Sequence, residues 1–153
     1  AFGAGVTFFD TADVYPLGGT GDTVGRTEEI VGRWLHGRRD RIILATKCFG
    51  RSGPNRWDQG NSRKHILDAV DASLRRLNTD YIDLYWVHVW DFMTPVEEVM
   101  RGLDDMVRAG KVLYVGISDT PAWIVSQANT LAQVHGWSPF VGLQVEYIFS
   151  SEK

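Results

Sequence analysis

One cysteine, Cys48, is all that the 153 residues contain, which excludes an intrachain disulfide and any cysteine-rich metal site. That scarcity suits a reducing, cytoplasmic setting. Long apolar runs are also missing, since none approaches the roughly 20 residues that a membrane-spanning helix needs. No secretory signal pattern is visible, although the chain opens on Ala1. Neither sign of charge dominates: 16 Lys and Arg face 19 Asp and Glu for a net −3, which argues against nucleic acid as the main partner. Of the histidines, His36, His65 and His135 lack metal-ligand spacing and read as helix-surface residues, so no metal is expected. There is no Gly-x-Gly-x-x-Gly turn between a strand and a helix, which weakens a dinucleotide-binding open sheet. The stretch Leu17 to Gly25 is glycine-rich but lacks the Gly-Lys-Ser/Thr ending of a phosphate loop, so it reads as a flexible loop.

What is present is a regular alternation of short apolar runs and amphipathic stretches, the pattern of βα units on a parallel sheet. Strands are expected at about 5–10, 41–47, 81–88, 112–117 and 140–146, with helices at about 27–36, 62–77, 94–109 and 120–135. Thr27 is the expected N-cap of the first helix, whose Ile30, Val31, Trp34 and Leu35 share a face, and Ser62 caps the second. Thr94-Pro95-Val96-Glu97 reads as a capping box, and Thr120-Pro121 opens the fourth helix. Gly37, Gly110 and Gly136 close three of them. With no repeat or linker, residues 1–153 are expected to form one α/β domain, part of a parallel (β/α)8 barrel. Five units do not close such a barrel, so the chain reads as a section of a larger fold.

Four residues carry the functional signal. Asp10 and Tyr15 follow the first strand, Lys47 ends the second and His88 ends the third. Singly, each has an ordinary reading: a turn aspartate, a loop tyrosine, a solvated lysine, a core histidine. Jointly, a parallel barrel gathers its strand ends around one point. An ammonium beside a phenol is expected to lower its pKa and make it a usable general acid. An aspartate holds the ammonium, and an imidazole orients a carbonyl oxygen. Such a set suits carbonyl reduction, for which a cofactor must bring the hydride. Cys48, next to Lys47, reads as a plain strand-end residue.

The stretches Phe8 to Tyr15, Ala45-Thr46-Lys47, Asp80 to His88 and Gly110 to Ser118 resemble the aldo-keto reductase family from end to end of the chain. The resemblance implies an NADP- or NAD-dependent barrel that reduces aldehydes and ketones, with Tyr15 as general acid, Lys47 and Asp10 tuning it, and His88 positioning the carbonyl. It further implies cofactor contacts from Ser118, Asp119 and Gln144; aspartate stands at 119 where the family commonly has asparagine. The run Ile117 to Trp123 looks like the aryl-alcohol dehydrogenase branch, which points to aromatic aldehydes as the small-molecule substrate. Trp57 and Trp90 are the candidate pocket walls, whereas Trp86 is expected to fill the barrel interior. The last barrel units, which in this family grip the cofactor phosphates, are absent by the resemblance, as is the first strand. The ending Tyr147 to Lys153 also departs from the family's usual run. These residues alone are therefore expected to bind cofactor weakly. The alternatives are a cofactor-sensing subunit resembling potassium-channel β subunits, or an inactive fragment that needs an oligomer or a partner supplying the remaining strands.

Overall fold

The computed structural model describes residues 1–18 and 21–146. Gly19, Thr20 and the ending Tyr147 to Lys153 lie outside the described residues, so the expectations placed on them go no further. Five strands, β1 (Phe8–Asp10), β2 (Ile43–Cys48), β3 (Ile82–Val87), β4 (Val112–Ser118) and β5 (Phe140–Gln144), alternate with helices α1 (Arg26–Leu35), α2 (Arg63–Leu77), α3 (Val96–Arg108) and α4 (Ala122–His135). A 3-10 turn precedes β1 and another precedes β2.

All four strand pairings are parallel and run in chain order, β1-β2-β3-β4-β5. A doubly wound sheet reverses its order at a switch point, whereas a barrel section does not. The fold is therefore a half-barrel with its helices on one side.

Strand periodicity sorts the side chains into two layers. Leu44, Tyr85, Val87, Val115 and Ile117 are buried on the face against the helices, where they meet Ile66, Val70, Leu77, Met100 and Leu103. The register pairs Lys47 with Trp86 and Trp86 with Gly116 on the opposite, concave face. Trp86 is buried there as expected, its ring lying over Gly116 and beside Gly142. Lower on that face Phe8, Ile43 and Tyr114 remain about half exposed, at 47%, 48% and 59%. No helix among the described residues is long and apolar enough to cross a membrane.

Helix starts depart from expectation in instructive ways. α1 begins one residue earlier than expected, with Gly25 at φ 80° as its N-cap in place of Thr27. Its buried residues are Glu28, Gly32 and Leu35, while Ile30 faces out at 53% exposure. The expected capping box at Thr94 does not form. Pro95 takes the N-cap position of α3, and the Thr94 hydroxyl donates instead to Asp91 Oδ2 at 2.7 Å. Pro121 likewise caps α4, and the Thr120 hydroxyl donates to the Ser118 carbonyl at 2.7 Å. Ser62 caps α2 as expected, accepting from the His65 N–H at 3.2 Å. His65 itself is buried at 1% exposure rather than lying on the surface, because α2 turns that face into the core.

Helices α1 and α2 touch through Gly32. A methyl group there would lie 2.3 Å from the Arg76 carbonyl oxygen and 2.8 Å from that of Leu77. These are backbone atoms and cannot rotate away. Gly32→Ala is expected to destabilise the fold by about 1–3 kcal/mol or more. Urea denaturation checks this, and a midpoint equal to wild type would remove Gly32 from the account.

Candidate active site

The C-terminal ends of β1, β2 and β3 bring the four predicted residues together. Lys47, at 3% exposure, donates from Nζ to Asp10 Oδ2 at 2.6 Å and to the Thr11 carbonyl at 2.9 Å. The ammonium is 5.4 Å from the centroid of the Tyr15 ring. Tyr15 meets His88 edge to face, with ring centroids 5.8 Å apart. The loop bearing Tyr15 is fastened to β2 by backbone bonds from Thr11 N to Ala45 O and from Asp13 N to Lys47 O, both 3.0 Å. The Tyr15 ring thus lies between the Lys47 ammonium and the His88 imidazole, close to both, above the strand ends.

One expectation is corrected by the electrostatics. The Tyr15 pKa is raised, not lowered: burial disfavours the phenolate most, and the Asp10 and Asp119 carboxylates repel it further. The Lys47 ammonium, 5.4 Å from the ring centroid, does not outweigh burial and the two carboxylates. The phenol therefore stays protonated through neutral pH. His88 is shifted the other way, first by burial and then by Lys47, against the opposing pull of Asp119 and Asp10. Its imidazole is neutral at pH 7, with one N–H free to donate.

Ser118, Asp119 and Gln144 gather at the adjoining ends of β4 and β5, where Ser118 and Gln144 are register partners. The Asp119 N–H donates to the Gln144 carbonyl at 3.1 Å. Asp119 sits at φ 40°, a left-handed conformation that short polar residues tolerate. The Gln144 amide donates from Nε2 to Asp10 Oδ2 at 3.0 Å, which couples this group directly to the lysine–aspartate pair.

The loops after β2 and β3 line an open cavity of about 870 Å³. Trp57 and Trp90 both line it, Trp57 at 54% exposure and Trp90 nearly buried at 4%. Asp91 fixes its shape, accepting from the backbone N–H groups of Asn61, Met93 and Thr94, each at 2.9 Å, and from the Thr94 hydroxyl. The four donors hold its carboxyl below the ordinary range despite burial. Asn61 ties the two loops together by donating from Nδ2 to the Val89 carbonyl at 3.0 Å. Sequence reading missed Asp91 and Asn61; the Asp91-x-x-Thr94 spacing, typical of side chains that satisfy nearby backbone donors, was the available signal.

Behind the quartet lies a buried polar cluster that the sequence did not disclose. Glu28, fully buried, accepts from the Thr46 hydroxyl at 2.6 Å and from Arg76 Nε at 2.7 Å. Asp13, also fully buried, is pushed up to about 8 by burial and then by the Glu28 carboxylate, with Arg76 and the Phe49 and Val14 amides opposing in part. Among the described residues neither of its oxygens has a partner at ordinary hydrogen-bond geometry. Cys48 is buried and its thiol is pushed up to about 12 by burial and by Asp13, which makes it inert.

In the unfolded chain an aspartate ionises near 3.8, well below the folded value for Asp13. The folded state therefore holds a proton that the unfolded state has released, and stability falls as pH rises from about 4 to about 8. Asp13→Asn is expected to flatten that slope and to gain most stability at the alkaline end. Denaturation midpoints at several pH values check it, and an unchanged slope would show that Asp13 does not titrate in this range.

A parallel half-barrel with an acid–ammonium–phenol–imidazole group at its strand ends defines a (β/α)-barrel protein with a polar centre where such barrels place their chemistry. The chain belongs to the aldo/keto reductase family, whose model matches residues 1–152. It is 46% identical over 145 residues to norsolorinic acid reductase A of Aspergillus parasiticus, covering 90% of this chain and 36% of that protein. It is 42% identical over 157 residues to aryl-alcohol dehydrogenase [NADP(+)] of Phanerodontia chrysosporium, covering 95% and 39%. A probable aryl-alcohol dehydrogenase of Saccharomyces cerevisiae matches at 42% over 146 residues, covering 90% and 42%. The chain thus spans about two fifths of the length of these relatives.

Proposed function

We propose that this protein is a nicotinamide-dependent reductase of aldehydes and ketones, aromatic carbonyl compounds among them. The observation that carries the reading is the convergence of Tyr15, Lys47 and His88 on one region, with Asp10 anchoring the ammonium at 2.6 Å. Family membership and the relatives named for aryl-alcohol dehydrogenase and norsolorinic acid reductase activity support it.

The residues at β4 and β5 fit a nicotinamide carboxamide by the chemistry of their donors and acceptors. Gln144 uses its Nε2 on Asp10, which leaves Oε1 as an acceptor, and the Asp119 carboxylate is a second acceptor. A carboxamide NH2 has two hydrogens to give them, and the Ser118 hydroxyl can donate to the carboxamide oxygen. An aspartate at 119 is therefore compatible with the cofactor, and the relative whose name carries NADP(+) favours the phosphorylated form. When bound, the cofactor supplies a hydride to the carbonyl carbon.

The remaining work belongs to this chain. His88, neutral, donates a hydrogen bond to the substrate oxygen and orients it. Tyr15 donates its proton to that oxygen as negative charge develops there. An alkoxide is more basic than a phenolate, so a phenol with a raised pKa still gives up its proton at that moment. Lys47 lies beside the phenolate left behind and stabilises it. Reduction should hold steady through neutral pH and fall only where Tyr15 itself ionises, on the alkaline side. The test is NADPH oxidation with benzaldehyde followed by absorbance, with NADPH in large excess to offset the weak binding expected of these residues alone. Turnover is expected, and none with benzaldehyde or any substituted aromatic aldehyde would overturn the reading.

A further inference from the structure

Two guanidinium groups that line the cavity after β2 and β3 have little to do among the described residues. Arg51 makes one long bond, from Nη1 to the Pro54 carbonyl at 3.3 Å. Arg56 makes no side-chain hydrogen bond or ion pair among the described residues. Both line the cavity together with Trp57 and Trp90. The carboxylate that shares this lining, Asp91, is engaged by three backbone N–H groups and a hydroxyl. Among the described residues it forms no ion pair with either arginine.

The loop that carries the arginines is braced. Ser52 N donates to the Asp58 carbonyl at 2.9 Å, Asn55 N to Asp58 Oδ2 at 2.8 Å, and Gly60 N to the Phe49 carbonyl at 2.8 Å. Asp58 therefore serves the loop backbone and is not paired with Arg56 either. The cavity begins two residues beyond Lys47, at Phe49, and two beyond His88, at Trp90. Its other wall, Gly50, packs against Val14, the neighbour of Tyr15. The cavity therefore adjoins the segments that follow Lys47 and His88 and the loop that bears Tyr15.

Indole faces accept a flat ring, and a guanidinium fork matches a carboxylate in two parallel hydrogen bonds. We propose that the cavity formed by Trp57, Trp90, Arg51 and Arg56 selects aromatic carbonyl substrates that carry an ionised acid group. The ring lies chiefly against Trp57, since Trp90 is nearly buried, and the acid meets the arginines. This rests on the carbonyl-reductase reading for the identity of the reacting group, but the recognition of ring and acid stands on the cavity alone.

Isothermal titration of the purified protein with 4-carboxybenzaldehyde and with its neutral methyl ester tests it. Because both arginines are exposed to solvent and salt, the expected preference for the acid is modest, about tenfold, or ~1.4 kcal/mol. The preference should shrink in high salt and vanish in the Arg51→Met/Arg56→Met variant. It should persist in part in Arg51→Lys/Arg56→Lys, which retains charge but not the fork. Equal affinity for acid and ester, no binding of either, or an unaltered preference in the methionine variant would overturn the proposal. Turnover of the two aldehydes is measured separately. If binding discriminates but neither is reduced, the reductase reading fails and the acid site stands. If both are reduced with equal kcat/KM and bind equally, the reductase reading stands and the acid site fails.

Discussion

Replacing Tyr15 by phenylalanine is expected to lower kcat for aldehyde reduction by roughly 10²–10⁴-fold, the usual contribution of a positioned general acid. The ring remains, so its edge-to-face contact with His88 at 5.8 Å and its place beside Lys47 are retained. Only the proton is lost. KM for the aldehyde and the folded stability should change little, which separates a chemical role from a structural one. Lys47→Met acts differently. It leaves Asp10 without its 2.6 Å partner and removes the ammonium 5.4 Å from the Tyr15 ring, so both activity and local order suffer. A Tyr15→Phe protein with wild-type kcat would assign the proton to another group, and His88 would be the first to consider.

Glu28→Ala should be among the most damaging changes to stability, at about 3–5 kcal/mol, the cost of breaking a buried charge pair by removing one member. Glu28 is fully buried, and its partner Arg76 is only 19% exposed along the side chain. Truncation strands the Arg76 guanidinium and the Thr46 hydroxyl, which then lack their common acceptor. Thr46 precedes Lys47, so the loss reaches the strand that positions the ammonium. Glu28→Gln keeps the acceptor for Thr46 while losing the charge, and should fall between wild type and alanine. Urea denaturation of the three proteins gives the order, and an alanine variant as stable as wild type would make the cluster incidental. A related consequence concerns Asp13, whose pKa Glu28 helps to raise. With Glu28 neutralised, Asp13 should ionise at lower pH.

The order of strands and helices was legible in the sequence because each βα unit carries its own punctuation. Apolar runs such as Ile82 to Val87 are too short for helices, and Gly110 and Gly136 mark helix ends by their positive φ. Bringing Asp10, Tyr15, Lys47 and His88 together required only that parallel strands end on the same side. What could not be read was the direction of the Tyr15 shift. That depends first on burial and then on which charges lie nearest in space, and Asp119, just past β4, is more than 100 positions away. Buried polar residues escaped for a similar reason. Glu28 in a charged helix start resembles a dipole partner facing water, and only its spacing with Gly32 and Leu35 betrays the inward face. Thr94 and Thr120 misled because a threonine before proline at a helix start reads as a cap. Their hydroxyls instead bond within the preceding turns.

The central claim is that Tyr15 delivers the proton to the carbonyl oxygen while burial and the neighbouring carboxylates keep it protonated. Single-turnover reduction of an aromatic aldehyde, with NADPH bound and the reaction run in H2O and in D2O, tests it most directly. The account predicts that wild type slows in D2O, and that Tyr15→Phe reacts far more slowly and loses the solvent isotope effect that belongs to the phenol. A Tyr15→Phe protein that consumes bound NADPH at the wild-type rate, with the same isotope effect, would contradict it.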